Sequence, residues 1–113
     1  MTDSTEMKVS AAESATGQMG QKYLAAGERV ALRLWDNEPP NPEKQQSTRD
    51  YETVGYVLKG RAVLHLDSQQ ISLQPGDSWI VPSGTVHAYE ILEPFTAIEA
   101  TSPPAQENGR DRP

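Results

Sequence analysis

Two side chains in this sequence are suited to proton transfer, His87 and Glu99. An imidazole titrates near neutral pH, so His87 is a candidate general acid or base. Glu99 lies within FTAIEA, in the middle of a predicted terminal strand, where a carboxylate must either face water or find a partner. Its alternative role is an exposed charge that protects an edge strand from aggregation. The chain contains no cysteine, which excludes thiolate catalysis and Cys-ligated metals.

The composition limits the size of the protein and its classes of partner. A chain of 113 residues with 35% hydrophobic residues is long enough for one compact domain. Its formal net charge of -6 repels nucleic-acid phosphates and anionic membranes. No apolar run approaches the roughly 18 residues of a membrane span, and the N-terminus has no apolar signal-peptide core. We therefore expect a cytoplasmic protein without nucleic-acid or membrane partners.

Short β-rich segments, separated by clusters of Gly, Pro and Asn, must position these side chains. The predicted strands are Gln21–Ala25, Glu28–Trp35, Tyr51–Leu58, Arg61–Leu66, Ile71–Leu73, Trp79–Val81, Val86–Leu92 and Phe95–Ala100. In the second of them, Val30, Leu32 and Leu34 share one face. The loop from Asp36 to Gln46 should be exposed. Eight or nine short strands in a small domain predict an all-β sandwich or barrel.

The two ends of the chain differ from this core. Residues 1–20 contain only Val9 and three Met as sizeable apolar side chains, which predicts a flexible N-terminal arm. The predicted barrel occupies residues 21–103. The remaining residues, 104–113, are mostly polar and predict a flexible C-terminal tail.

The segment PGDSWIVPSGTVH carries the most specific pattern in the chain. Gly76, Pro82, Gly84 and His87 follow one another at set spacings, and YVLKG at 56–60 precedes them. The two glycines allow tight turns between antiparallel strands, and Pro82 stiffens the second turn. This order resembles the two signatures of the cupin superfamily, and in particular its small stand-alone bacterial members. The resemblance implies a single-domain double-stranded β-helix, or jelly roll, and supplies no substrate.

In metal-binding cupins the two signatures together provide three His and one Glu as ligands. The resemblance places Ser47 and Arg49 at two His positions, Thr53 at the Glu position and His87 at the third His position. Hydroxyls are weak ligands and a guanidinium binds no metal, so we predict no metal and no cofactor. Glu52 is offset by one residue onto the opposite face of its strand, and only with His87 would it form an atypical metal site.

The same register implies a pocket inside the barrel. The predicted ligand-binding residues are Ser47, Arg49, Tyr51, Thr53, His87 and Tyr89. A cation, several hydroxyls and an imidazole suit a small polar or anionic molecule, such as a carboxylate, a phosphate or a sugar. Arg49 would then bind the anion through two parallel hydrogen bonds. Alternatively, Arg49 pairs with Asp50, Glu52 or Glu99.

Three functions remain open at this point. The first is binding of a small ligand without turnover. The second is catalysis, either by His87 with Glu99 in a metal-independent isomerase or epimerase, or by an atypical metal-dependent oxygenase. The third is a non-catalytic interaction module, whose sign would be a pocket filled by Tyr and Trp. We also expect a homodimer, because a small barrel buries a modest core, with Val63, His65 or the first strand contributing.

Overall fold

The computed structural model describes residues 7–42 and 46–111, and most of its regular structure is β-strand. The strands are β1 (Lys22–Ala26), β2 (Ala31–Glu38), β3 (Glu52–Lys59), β4 (Ala62–Leu66), β5 (Gln69–Leu73), β6 (Ser78–Val81), β7 (His87–Ile91) and β8 (Phe95–Ser102). Each predicted strand is therefore confirmed, with ends that differ by up to three residues. The one helical element in the described ranges is a 3-10 turn, Ala11–Glu13, and no helix there could cross a membrane.

Parts of three predicted segments lie outside the described residues. These parts are residues 1–6 of the N-terminal arm, residues 43–45 of the loop before β3, and residues 112–113 of the C-terminal tail. The described part of the arm pairs with β1. The N–H of Gly17 donates to the carbonyl of Gln21 at 2.7 Å, and the N–H of Tyr23 donates to the carbonyl of Ala15 at 2.9 Å.

Two antiparallel sheets enclose the core. The larger sheet has the strand order β1-β2-β8-β3-β6, and the smaller has the order β5-β4-β7. Buried and exposed residues alternate along β3, as expected for a strand with one face against a core. The core residues from both sheets are Val57, Ala62, Leu64, Leu73, Trp79, Val81, Phe95 and Ala97. This arrangement confirms the predicted all-β barrel.

The register of β2 places an arginine inside the barrel. Leu32 is 38% exposed, whereas Ala31 and Arg33 are buried, so the leucine-bearing face of β2 is the outer face of the larger sheet. Because β8 pairs with both β2 and β3, it lies at the centre of that sheet. Glu99 on β8 is only 2% exposed. The alternative expectation, an exposed charge on an edge strand, is therefore wrong.

The C-terminal segment, residues 103–111, folds back over one end of the barrel, which we call the mouth. The N–H of Ala105 donates to Oγ1 of Thr101 at 2.9 Å, so the segment is held where it leaves β8. Asn108 has a φ of 55°, in a left-handed turn, and the chain then returns to bury Asp111. The sequence predicts a flexible tail over residues 104–113, of which the structure describes 104–111. The structure differs because the carboxylate of Asp111 finds partners inside the barrel.

Candidate functional site

A buried arginine organises the polar groups at the mouth. Arg33 donates from Nε to Oε1 of Glu99 at 2.7 Å and from Nη1 to both carboxylate oxygens of Asp111, at 2.9 and 2.7 Å. Its guanidinium carbon lies 5.4 Å from the ring centroids of both Trp35 and Tyr51. The cation therefore lies between two carboxylates, and the two aromatic rings help to exclude water from it.

The carboxylate of Asp111 accepts hydrogen bonds from four side chains. Besides the two bonds from Arg33, the hydroxyl of Tyr51 donates to Oδ1 at 2.5 Å and the hydroxyl of Tyr23 donates to Oδ2 at 2.7 Å. Nε2 of Gln21 donates to Oδ2 at 2.8 Å. Since a carboxylate has about four lone-pair sites, these donors saturate it. We call these four donor residues the carboxylate cradle.

Burial and the neighbouring charges set the protonation states in the cradle. Burial alone would raise the pKa of Asp111, but Arg33 and the hydroxyl donors lower it below its usual value. Burial, reinforced by Asp111, raises the pKa of Tyr23 to about 12, and burial likewise raises the pKa of Tyr51. Burial alone would lower the pKa of Arg33, but Glu99, Tyr51 and Asp111 raise it. At neutral pH the cradle thus presents protonated hydroxyls and a permanent cation to an ionised carboxylate.

Two aromatic residues, Trp79 and Tyr89, occupy part of the barrel interior. Nε1 of Trp79 donates to the hydroxyl of Tyr89 at 3.1 Å, and their rings meet edge-on with centroids 6.3 Å apart. The ring of His87 meets that of Tyr89 edge-on at 5.8 Å. Burial raises the pKa of Tyr89, and the charge of Glu99 adds to this effect.

His87 and Glu99 make separate contacts. Oε1 of Glu99 accepts hydrogen bonds from Nε of Arg33 and from Nε1 of Trp35, both at 2.7 Å. Nδ1 of His87 lies 3.0 Å from the carbonyl oxygen of Thr85. In the described part of the chain these two side chains are not joined by a hydrogen bond. The acid/base pair stays a prediction.

A surface hollow of about 670 Å³ lies beside the mouth, between the N-terminal arm, β1 and the C-terminal segment. Tyr23 lines this hollow and also belongs to the cradle. Gln106 and Glu107 of the C-terminal segment line its other side. The cradle is therefore adjacent to open space on the side where the C-terminal segment covers it.

Residues 37–99 match the family of cupin domains. This chain is a cupin. An RmlC-like cupin from Shewanella frigidimarina has a similar structure, with a TM-score of 0.78 at 18% identity, over 91% of this chain and 96% of that one. A cupin superfamily protein from Desulfitobacterium hafniense gives a TM-score of 0.57 at 26% identity, over 73% of this chain and 74% of that one. These likenesses confirm the jelly-roll fold that the two signatures implied.

A shorter match connects this cupin with quercetin 2,3-dioxygenase of Bacillus subtilis. The two sequences are 40% identical over 43 residues, which are 38% of this chain and 13% of the dioxygenase. The chain thus spans only a small part of that relative. The match supports the family and leaves the reaction open.

The predicted ligand-binding residues lie at different depths of this cupin barrel. Tyr51 and Thr53 are buried on the inner face, as predicted, and Tyr51 belongs to the cradle. Ser47 pairs with His87 through the backbone, with N–H to carbonyl distances of 2.8 and 3.0 Å. Arg49 is half-buried at the rim, where Nη1 lies 3.5 Å from the carbonyl of Arg110. Arg49 therefore contacts the segment that covers the mouth.

The central cation, Arg33, was not among the predicted site residues. One signal was available, because alternation places Arg33 on the face of β2 opposite Leu32 and Leu34. Because the inner face of a strand is usually apolar, the same pattern would instead predict Leu32 and Leu34 inside the barrel and Arg33 in solvent. Asp111 gave no signal at all, since it lies in a polar segment without periodicity.

The residues at the cupin metal positions do not fit a metal ion. At these positions Ser47 and Thr53 offer weak hydroxyl ligands, and Arg49 offers a cation. None of them is a strong metal ligand that could act together with His87. Glu52 is exposed on the outer face of β3, opposite to Thr53. Across residues 7–42 and 46–111, no three His, Asp or Glu side chains are grouped to hold a metal. We therefore assign no metal-dependent step to this site.

Proposed function

We propose that this cupin binds a small molecule carrying a carboxylate at the mouth of its barrel. The observation that carries the proposal is the cradle itself, which surrounds one carboxylate with five hydrogen bonds, two from Arg33 and one each from Tyr51, Tyr23 and Gln21. Hydrogen bonds to a charged group are among the strongest that a protein makes. The ligand's carboxylate would occupy the position that the Asp111 carboxylate holds.

The charge of the cradle favours a carboxylate over the phosphate or sugar that the sequence also suggested. Glu99 already neutralises Arg33 from one side, through a 2.7 Å ion pair. A single further negative charge is stabilised by hydrogen bonds from the neutral hydroxyl donors, whereas a phosphate dianion would be repelled more strongly by Glu99. A sugar needs acceptors as well as donors, and the cradle supplies chiefly donors.

The rest of the ligand would extend toward the barrel interior. Tyr89 and His87 lie there in edge-on contact, and Thr53 is buried on the facing sheet. Their hydroxyls and imidazole would select among carboxylates by hydrogen bonding, which is how pockets usually gain specificity. These residues are therefore assigned to recognition of the ligand body.

The pairing of Trp79 with Tyr89 favours a second candidate, the non-catalytic interaction module. The two side chains fill part of the interior, and Trp79 is only 7% exposed. In this alternative the cradle serves only to anchor the C-terminal segment. It predicts that no small carboxylate binds, so one titration separates the two candidates.

The test is a titration of the protein with acetate, succinate and benzoate, followed by two-dimensional NMR of backbone and indole N–H groups. Acetamide serves as the neutral counterpart of acetate. We expect a carboxylate to shift the indole signal of Trp35, which shares Glu99 with Arg33. Tyr51→Phe should weaken this binding by about tenfold, because one hydrogen bond to a charged group is lost.

The matched control is Tyr56→Phe, which makes the same chemical change on the outer face of β3, the strand that follows Tyr51, where Tyr56 is 46% exposed. Both the wild-type protein and an Asp111→Ala variant are titrated, so that the C-terminal segment cannot hide the site. The proposal is wrong if no carboxylate binds in either background. It is also wrong if Tyr51→Phe and Tyr56→Phe bind carboxylates equally well.

A further inference from the structure

The C-terminal segment touches the barrel mainly at its two ends. Ala105 is 1% exposed and bonded to Thr101, and Asp111 is held in the cradle. Between them, Glu107 and Asn108 are exposed, and the segment makes turn bonds rather than strand pairs. The described segment is therefore a strap with a fixed base near Ala105 and one strong contact at its far end.

The contact at the far end has the chemistry of a ligand. Asp111 supplies a lone carboxylate, separated by 78 residues in sequence from Arg33, which binds both of its oxygens. Nearby, Nε of Arg110 is buried without a hydrogen-bond partner, and it lies 3.7 Å from Oδ1 of Asp50. The strap thus buries the Asp111 carboxylate, which accepts several hydrogen bonds, next to Arg110, whose Nε has no hydrogen-bond partner.

We infer that Asp111 is a tethered competitor for the carboxylate site, and that the strap must leave the mouth when a ligand binds. This inference rests on the proposed function. Exchanging one carboxylate for another preserves the charge of the cradle and the number of its hydrogen bonds. The ligand therefore competes mainly against the effective concentration of the tethered Asp111 carboxylate. For a short tether this concentration is of the order of millimolar.

The competition would make the site selective. A ligand that offers only a carboxylate gains nothing over Asp111 and must be present at high concentration to displace it. A ligand with further contacts to Tyr89 or His87 gains binding energy that the strap lacks. The hollow of about 670 Å³ beside Gln106 and Glu107 adjoins the strap on the side toward which it can open. Binding and opening are then one equilibrium, in which the apparent affinity is the intrinsic affinity multiplied by the fraction of molecules whose strap is open.

The experiment compares Asp111→Asn and Asp111→Ala with Glu107→Gln, a matched control that removes one charge from an exposed position of the same strap. The dissociation constants of acetate and succinate are measured for each by NMR titration. We expect both Asp111 variants to bind acetate at least about tenfold more tightly than the wild type, whereas Glu107→Gln should not differ. Asp111→Asn keeps the volume of the side chain, so the comparison survives if Asp111→Ala folds poorly.

A second measurement follows the strap itself. The N–H of Ala105 donates to Thr101, and the N–H of Arg110 donates to the carbonyl of Glu107 at 3.1 Å. Saturating succinate should speed hydrogen exchange at Arg110 in the wild type but leave Ala105 protected at the base. Equal affinities in wild type and both Asp111 variants would overturn the inference and leave the proposed function standing. Weaker binding in Asp111→Asn would also overturn it, and absence of binding everywhere would overturn both.

Discussion

Arg33 carries the most unusual environment of any residue described in this cupin. It is 7% exposed and lies between Glu99 and Asp111, with ion-pair distances of 2.7 Å to each. Buried ion pairs seldom add net stability, because desolvation of the charges offsets their attraction. An apolar side chain would fill the same space at lower cost. A buried cation with aligned donors is therefore consistent with the proposed carboxylate site, where perturbed charged groups are common.

The buried tyrosines make the stability of this cupin sensitive to alkaline pH. Burial raises the pKa of Tyr23 to about 12, and it also raises the pKa of Tyr51 and Tyr89, whereas an unfolded tyrosine titrates near 10. Between these values the folded state binds more protons than the unfolded state, so the free energy of unfolding falls as pH rises. The stabilisation that results from these raised pKa values is complete below about pH 10 and is lost as pH passes through about 12.

Urea unfolding midpoints measured from about pH 8 to pH 12, alongside tyrosinate absorbance, check this expectation. Tyr23→Phe removes one of the shifted groups and should reduce the alkaline loss. Tyr56→Phe, on the exposed outer face, is the matched control. A midpoint that stays constant across this range in the wild type contradicts the prediction.

At the scale of the elements, β3 and the residue before it position Tyr51 of the cradle and the indole ring of Trp79. Tyr51 precedes the strand and Gly55 lies within it, on the same inner face. A Cβ at Gly55 would overlap the indole ring of Trp79 on β6, the neighbouring strand. Glycine at this position therefore allows Trp79 to lie over β3 and to reach the Tyr89 hydroxyl.

Gly55→Ala should destabilise the fold by about 1 to 3 kcal/mol, because the added methyl group forces Trp79 out of its place. Urea unfolding followed by tryptophan fluorescence measures both the stability and the exposure of the indole. Gly27→Ala is the matched control, since a Cβ there would meet only the Val30 carbonyl at an ordinary 3.4 Å. If the free energy of unfolding falls equally in Gly55→Ala and Gly27→Ala, the position of Trp79 does not depend on Gly55.

At the scale of the whole molecule, the outer face of the larger sheet is apolar and exposed. Its exposed apolar residues, which lie on β2, β3 and β6, are Leu32, Val54, Tyr56, Leu58 and Ile80. Leu32 and Val54 both pair with Ala100, and Val54 also pairs with Ile80, so one apolar row crosses four strands. Large contiguous apolar patches on a protein surface usually mark an interface.

We predict that a second copy of the chain covers this face. The charges on the face lie at its margins, at the Lys22–Asp36 ion pair and at Glu52. Two copies with a net charge of -6 repel each other, so a contact between them must offset that repulsion by burying apolar surface. A two-fold axis through the apolar row provides such a contact. The homodimer stays a prediction, and this face is an alternative to the contact through Val63, His65 or the first strand.

Analytical ultracentrifugation at micromolar concentration should give twice the chain mass of 12.4 kDa. Val54→Lys places a charge at the centre of the apolar row and should yield the monomer. Val86→Lys, at a 40% exposed position between β6 and β7, is the control that should remain dimeric. A wild-type protein that sediments only as a monomer would rule out this interface.

The resemblance of PGDSWIVPSGTVH to the cupin signatures implied the jelly roll and, through its register, the inward direction of Tyr51 and Thr53. The sequence by itself determined the all-β class through local signals, namely the Gly and Pro turns and the period-two alternation of each strand. Such signals act between neighbours along the chain, and each can be read without knowledge of the others.

The tertiary structure alone decided the composition of the cradle. Arg33 lies 66 residues from Glu99 and 78 from Asp111, and no local pattern connects them. They meet because β8 pairs between β2 and β3, which brings Glu99 beside Arg33, and because residues 103–111 return over the mouth. Strand order and the return of the terminal segment depend on the burial free energy of the whole barrel, which is a property of the assembled sheets rather than of any segment.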